Sequence, residues 1–77
     1  MSDREFDQFL DALSYQCPMP LLKTKQAIRH MKSGEVLKVI ASDKGSVRDF
    51  KAFISHSDHE MLEMFEQNDQ FFYYIKK

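Results

Sequence analysis

At 77 residues the chain has room for one domain with one core, burying roughly 60% of the surface its unfolded form would expose, and none for a cofactor domain beside a substrate domain. Its one cysteine excludes an internal disulfide framework, and without a membrane-length apolar run or an apolar leader after Met1-Ser-Asp-Arg-Glu the expectation is a cytoplasmic protein with no membrane association. The net charge of −1 hides an asymmetry: residues 17–32 hold Lys23, Lys25, Arg29 and Lys32 but no acid, so this segment carries +4 and the remainder −5.

Residues 1–5 are polar and read as a frayed end of a domain spanning 1–77. A short strand is predicted from Phe6 to Leu13, with Phe6, Leu10 and Ala12 on one side and Asp7, Phe9 and Asp11 on the other. A helix follows over Pro20 to Lys32, carrying Leu21, Thr24, Ile28 and Met31 on one stripe with Ala27 alongside, and Gly34 supplies its stop. Val36 to Ala41 is β-branched and apolar except for Lys38, the composition of an interior strand. Ser42-Asp43-Lys44-Gly45-Ser46 is a turn and cap cluster ahead of a second helix over Val47 to His56, which buries Val47, Phe50, Phe53 and Ile54.

Two strands, Met61 to Glu66 and Gln70 to Lys76, are joined by a hairpin at Gln67-Asn68-Asp69. In the last strand Phe71, Tyr73 and Ile75 share one face while Phe72, Tyr74 and Lys76 share the other, so both sheet faces carry aromatic rings. A strand, crossover helix and strand give a parallel pair, and the closing hairpin adds antiparallel pairing. The expected fold is an α+β two-layer sandwich of order βαβαββ: a mixed four-stranded sheet with both helices on one face.

The chemistry points to Cys17, in Cys17-Pro18-Met19-Pro20 at the start of the first helix. A residue before proline is pushed out of the α region, which biases Cys17 and Met19 toward extended backbone, and proline suits the first helical turn. The first-turn donors of Met19, Leu21 and Leu22 then point toward the thiol. Together with the helix dipole and the acid-free basic helix they are expected to lower its pKa and favour thiolate. A dithiol oxidoreductase needs a resolving cysteine, which the chain lacks.

Other patterns are weaker. His56-x-x-His59 with Asp58 and Glu60 has residue types of a metal site, but the spacing is unspecific and histidine is favoured near a helix end in any case, so no metal is expected. Met61 and Met64 read as packing residues. Arg48 and Asp49 are adjacent on a helix, do not face one another, and read as separate surface contacts or caps.

From Leu10-Asp11-Ala12 through Cys17-Pro18-Met19-Pro20-Leu21-Leu22-Lys23-Thr24-Lys25, then Gly34-Glu35, Ser42-Asp43, Arg48-Asp49 and the closing aromatic strand, the chain resembles the small TusA/SirA-type sulfur-carrier proteins. The resemblance implies the same βαβαββ sandwich. It also implies sulfur relay: a cysteine accepts sulfane sulfur as a persulfide from a donor such as a cysteine desulfurase and passes it to an acceptor protein. No resident cofactor is implied, only the transient persulfide. In one branch the sulfur ends in 2-thiouridine of tRNA, and other branches feed molybdenum-cofactor or sulfur-oxidation pathways.

Carried over residue by residue, the resemblance assigns the persulfide to Cys17 and the motif scaffold to Pro18, Met19 and Pro20. Partner docking goes to Lys25, with Lys23, Arg29 and Lys32 on the same basic helix, and direct tRNA contact is not expected. Ser14 and Tyr15 stand where the family often has Gly and Leu, and Met19 where the thiouridylation branch carries Glu, so a sister branch fits as readily. The competing reading is a non-catalytic RNA- or protein-binding regulatory module that uses the basic first helix and the sheet aromatics.

Overall fold

In the computed structural model, which describes residues 5–77, the elements run β1 (Gln8–Ala12), α1 (Met19–Arg29), β2 (Val36–Ala41), α2 (Gly45–Ser55), β3 (Glu60–Gln67) and β4 (Gln70–Lys76). The order is the expected βαβαββ. The sheet order is β1-β2-β4-β3, with β1 parallel to β2 and the other two pairs antiparallel. Except for Glu5, which is exposed, the segment expected to fray lies outside the described residues.

Alternation along the strands sorts the side chains into two faces. Leu37, Val39 and Ala41 of β2 stand beside Ile75, Tyr73 and Phe71 of β4, and all six are buried beneath the helices with Ala12, Ile28, Met31 and Phe50. Phe50 stacks on Tyr73 at a ring separation of 4.1 Å. The Tyr73 hydroxyl, buried with them, shares a 2.7 Å hydrogen bond with Ser46 Oγ, which satisfies both polar groups in the core.

Among the described residues no helix lies over the opposite face. Lys38 lies at its centre, its Nζ 5.3–5.8 Å from the rings of Phe6, Phe9, Phe72 and Tyr74, within cation–π range. Phe65 stacks on Phe72 at 4.7 Å. The rings cover the sheet themselves: Tyr74 is 1% exposed, while Phe6 and Phe9 remain 44% and 53% exposed. Phe6 precedes β1 and joins Phe9 on this side, not Leu10 and Ala12 as the alternation predicted, because strand periodicity does not extend beyond Gln8.

Boundaries differ from expectation for local reasons. α1 ends at Arg29, not Lys32: the amides of His30 and Met31 bond three residues back, to Ala27 and Ile28, and tighten the last turn. Gly34 then reverses the chain at φ +93°, and Lys77 Nζ caps the helix end by donating to the carbonyl of Met31 at 2.6 Å. α2 starts at Gly45, two residues before the predicted Val47. The hairpin narrows to the pair Asn68 and Asp69, both at positive φ, which suits the twist of the flanking strands.

Candidate thiol site

Because β1 and β2 are parallel, the loops after them leave the same edge of the sheet, and both helices begin there. Cys17 lies in the first loop and Asp43 in the second, each two residues before its helix. The Cys17 amide donates to Asp43 Oδ2 at 2.6 Å and the Gly45 amide to Asp43 Oδ1 at 2.8 Å, so one carboxylate ties the cysteine loop to the start of α2. Those two backbone donors hold Asp43 below the usual carboxylate range. Ser42 Oγ adds a second tie between the loops by donating to the Leu13 carbonyl at 2.7 Å.

The cysteine occupies a tight turn. The Met19 amide donates to the Gln16 carbonyl at 2.8 Å, and the Cys17–Pro18 peptide between them is cis. Pro20 is buried and its carbonyl accepts from Thr24 Oγ1 at 2.8 Å, which anchors the first turn of α1 in the core. Pro18 caps the helix and is exposed. Met19, expected to be extended, is instead the first helical residue; it and Leu22 are 37% and 42% exposed on the outer side of this turn.

The thiol is exposed and donates to Asp49 Oδ2 at 2.6 Å. Asp49 lies in α2, a little over one turn from its start. Gly45 makes the approach possible: a Cβ there would lie 3.2 Å from Cys17 Cβ, 3.2 Å from Asp43 Oδ1 and 3.4 Å from Cys17 Sγ. Any side chain at that position presses directly on the thiol.

The electrostatics reverse the expectation from sequence. The hydrogen bond to Asp49 pushes the Cys17 thiol up, partial desolvation and the charges of Asp49 and Asp43 add to this, and Arg48 opposes it. Two of the three amides counted on to favour thiolate are engaged elsewhere, Met19 with Gln16 and Leu22 with Pro18. None of the basic side chains of α1 is among the groups that shift the thiol; the nearest charges are the two carboxylates brought in by the second loop and helix. Asp49, read from sequence as a surface contact or cap, touches the reactive atom, and the residue pair is 32 positions apart.

The four basic residues do not act as one patch. Lys23 and Lys25 are separated by more than half a helical turn, so they diverge: Lys23 Nζ lies 5.6 Å from the Tyr15 ring and Lys25 Nζ 5.5 Å from the Phe53 ring. Lys25 and Arg29, four apart, share a side; Lys32 lies beyond the helix, its amide held by Glu35 Oε1. A cleft of about 430 Å³ between the helices is lined by Leu21, Lys25, Asp49, Ala52, Phe53 and His56, so Asp49 borders both the thiol and the cleft.

His56 caps α2 while His59 lies against Phe53, and among the described residues no three His, Cys, Asp or Glu side chains are grouped to hold a metal ion. Met61 packs against the core and Met64 is 36% exposed. Ser14, where the family often has glycine, is not among the positive-φ residues and needs no glycine. No helix among the described residues is long and apolar enough to cross a membrane.

Fold and site together define a small mixed-sheet protein with a lone exposed thiol at the edge where both helices begin. Residues 8–77 match the family described as sulfurtransferase TusA. The chain is 47% identical over 73 residues to the sulfur carrier protein TusA of Allochromatium vinosum, covering 95% of this chain and 96% of that one. It is 38% identical over 71 residues to the putative sulfur carrier protein YrkI of Bacillus subtilis, covering 92% and 95%. The chain belongs to the TusA family of sulfurtransferases and sulfur carriers.

Proposed function

We propose that the chain relays sulfane sulfur as a persulfide on Cys17. A donor such as a cysteine desulfurase supplies the sulfur, and an acceptor protein takes it toward tRNA 2-thiouridine or another sulfur-trafficking product. The observation that carries this reading is the placement of the only thiol: exposed, in a turn rigidified by Pro18 and Pro20, with its main chain tied to Asp43. Transfer requires an attacking sulfur that a second protein can reach, and it is slowed by a buried or mobile one. The persulfide is a transient covalent state, and the relay requires no resident cofactor.

Met19 and Leu22 give the thiol an apolar border against which a partner closes, while Lys25 and Arg29, on one side of α1, meet acidic groups of that partner and Lys23 and Lys32 stand off that side. Direct contact with tRNA plays no part. The test is incubation with a cysteine desulfurase, pyridoxal phosphate and cysteine, followed by mass spectrometry. The expected result is a reductant-labile gain of one sulfur atom on Cys17. The exposed rings of Phe6 and Phe9 beside Lys38 favour the other reading, a non-catalytic RNA- or protein-binding module. Salt-sensitive RNA binding by a protein that takes up no sulfur from a panel of competent donors decides for that module.

A further inference from the structure

We infer that Asp49 is the proton acceptor for Cys17 in sulfur transfer, so that the resting thiol stays protonated and becomes a nucleophile only as the sulfane sulfur arrives. The inference rests on the carrier reading above and adds to it a residue and a control on reactivity. Asp49 Oδ2 lies 2.6 Å from Cys17 Sγ, within the reach required of a base, and a carboxylate can only accept there. The contact is built into the fold: Asp43 fixes the cysteine main chain, Gly45 leaves room for it, and α2 presents Asp49.

The charged groups around the pair are few. Asp43 faces the thiol from the loop before α2, Arg48 lies next to Asp49 on α2, Lys25 and His56 border the cleft that Asp49 lines, and the Tyr73 hydroxyl of β4 lies near enough to feel the Asp49 charge. The two carboxylates dominate at the sulfur. At rest they disfavour thiolate, in keeping with the upward direction of the thiol pKa. A carboxylate is a far weaker base than a thiolate, so the proton stays on sulfur until bond formation makes the thiol acidic.

The step balances without an outside oxidant or reductant. Cys17 Sγ attacks the terminal sulfur of the donor persulfide R–S–SH while Asp49 takes the Sγ proton. A bond forms between Cys17 Sγ and that sulfur, and the donor S–S bond breaks with its electron pair passing to R–S⁻. Asp49 then returns the proton to the donor thiolate, leaving R–SH and Cys17–S–SH. The sulfane sulfur changes partners and keeps its oxidation state.

Base catalysis and simple thiolate availability give opposite signs for Asp49→Asn. Removing the charge lowers the thiol pKa. Per unit of that fall, thiolate rises up to tenfold while its nucleophilicity falls only about threefold, so without a base role every reaction of Cys17 accelerates. The experiment compares wild type and Asp49→Asn in two assays at pH 7: alkylation by iodoacetamide, and single-turnover sulfur uptake from a cysteine desulfurase preloaded as its persulfide. We expect alkylation to quicken several-fold and sulfur uptake to slow by about a hundredfold, the lower end of what a positioned base contributes.

Sulfur uptake that quickens in step with alkylation overturns the base role while leaving the carrier reading intact. Wild type that takes up no sulfur overturns both. Circular dichroism checks the fold of the variant. If Asp49→Asn does not fold, the wild-type pH profile decides: between pH 6 and 8 alkylation climbs about tenfold per unit with the thiolate, whereas uptake through Asp49 stays nearly flat. A parallel climb of the two overturns the inference.

Discussion

The covered face of the sheet and the edge where the helices begin solve the same problem, a reactive or polar group among neighbours, in opposite ways. Under the helices the polar atoms of Ser46 and Tyr73 are paired with each other and sealed from water, with Phe50 stacked on the ring. At the edge, the Cys17 thiol is paired with a carboxylate but left open to approach. The first arrangement stabilises by burial; the second sets reactivity. The two regions meet in α2, which carries Ser46 and Phe50 on its buried flank and Gly45 and Asp49 on the flank beside it. A division of labour on one helix is testable, because substitutions on each side should move different observables.

Four substitutions probe that division. Cys17→Ser should abolish sulfur uptake completely and leave the far-ultraviolet circular dichroism and melting temperature close to wild type; unfolding of the variant would place the cysteine on the structural side. Phe50→Ala should do the reverse. It removes a fully buried ring and should cost about 3–5 kcal/mol, read by urea titration, while the folded fraction keeps its alkylation rate at Cys17.

Asp43→Asn lies between the two, since it loosens the thiol loop through the main chain. Asp43 is held below the usual range by the Cys17 and Gly45 amides, so its folded pKa lies under the unfolded value of about 3.9. Its contribution is therefore complete above about pH 4 and is lost as pH falls through the folded value. The variant should be less stable at neutral pH and show a shallower acid-side loss than wild type, measured as melting temperature from pH 7 to pH 2. Gly45→Ala should have the smallest effect. Its Cβ presses on Cys17 from 3.2 Å, which should move the thiol off Asp49 and raise alkylation by less than Asp49→Asn does, with little change in melting temperature.

Most of the fold was legible in the sequence because it is written in short-range periodicity. The alternation Phe71, Tyr73, Ile75 and the stripe Thr24, Ile28, Met31 each identify a buried face from one element alone. The site was legible only at Cys17. Its proline-bounded turn is local, but its chemical environment comes from residues 26 and 32 positions away. Local reasoning therefore assigned the thiol the charges of its own helix and obtained the wrong sign for its pKa shift.

Topology held the missing signal. Two parallel strands each followed by a helix bring both helix starts to one edge, which places Asp43 and Asp49 beside Cys17 before any side chain is built. The open face with its aromatic rings was expected from sequence, but what lies at its centre was not. Lys38 looked like an interruption in an apolar strand, whereas four rings from β1, β4 and the segment before β1 surround its ammonium group.

Tyr73 and Tyr74 are neighbours in sequence but look out from opposite sides of the sheet, one stacked on Phe50 and the other among the rings around Lys38. Both are buried, and the chain has no tryptophan and only one further tyrosine, Tyr15. Two of the three tyrosine chromophores are thus held buried in fixed, asymmetric surroundings, one for each layer. Near-ultraviolet circular dichroism follows the packing of both without a label, and comparing Tyr73→Phe with Tyr74→Phe separates their bands into one optical reporter for the helical layer and one for the bare side.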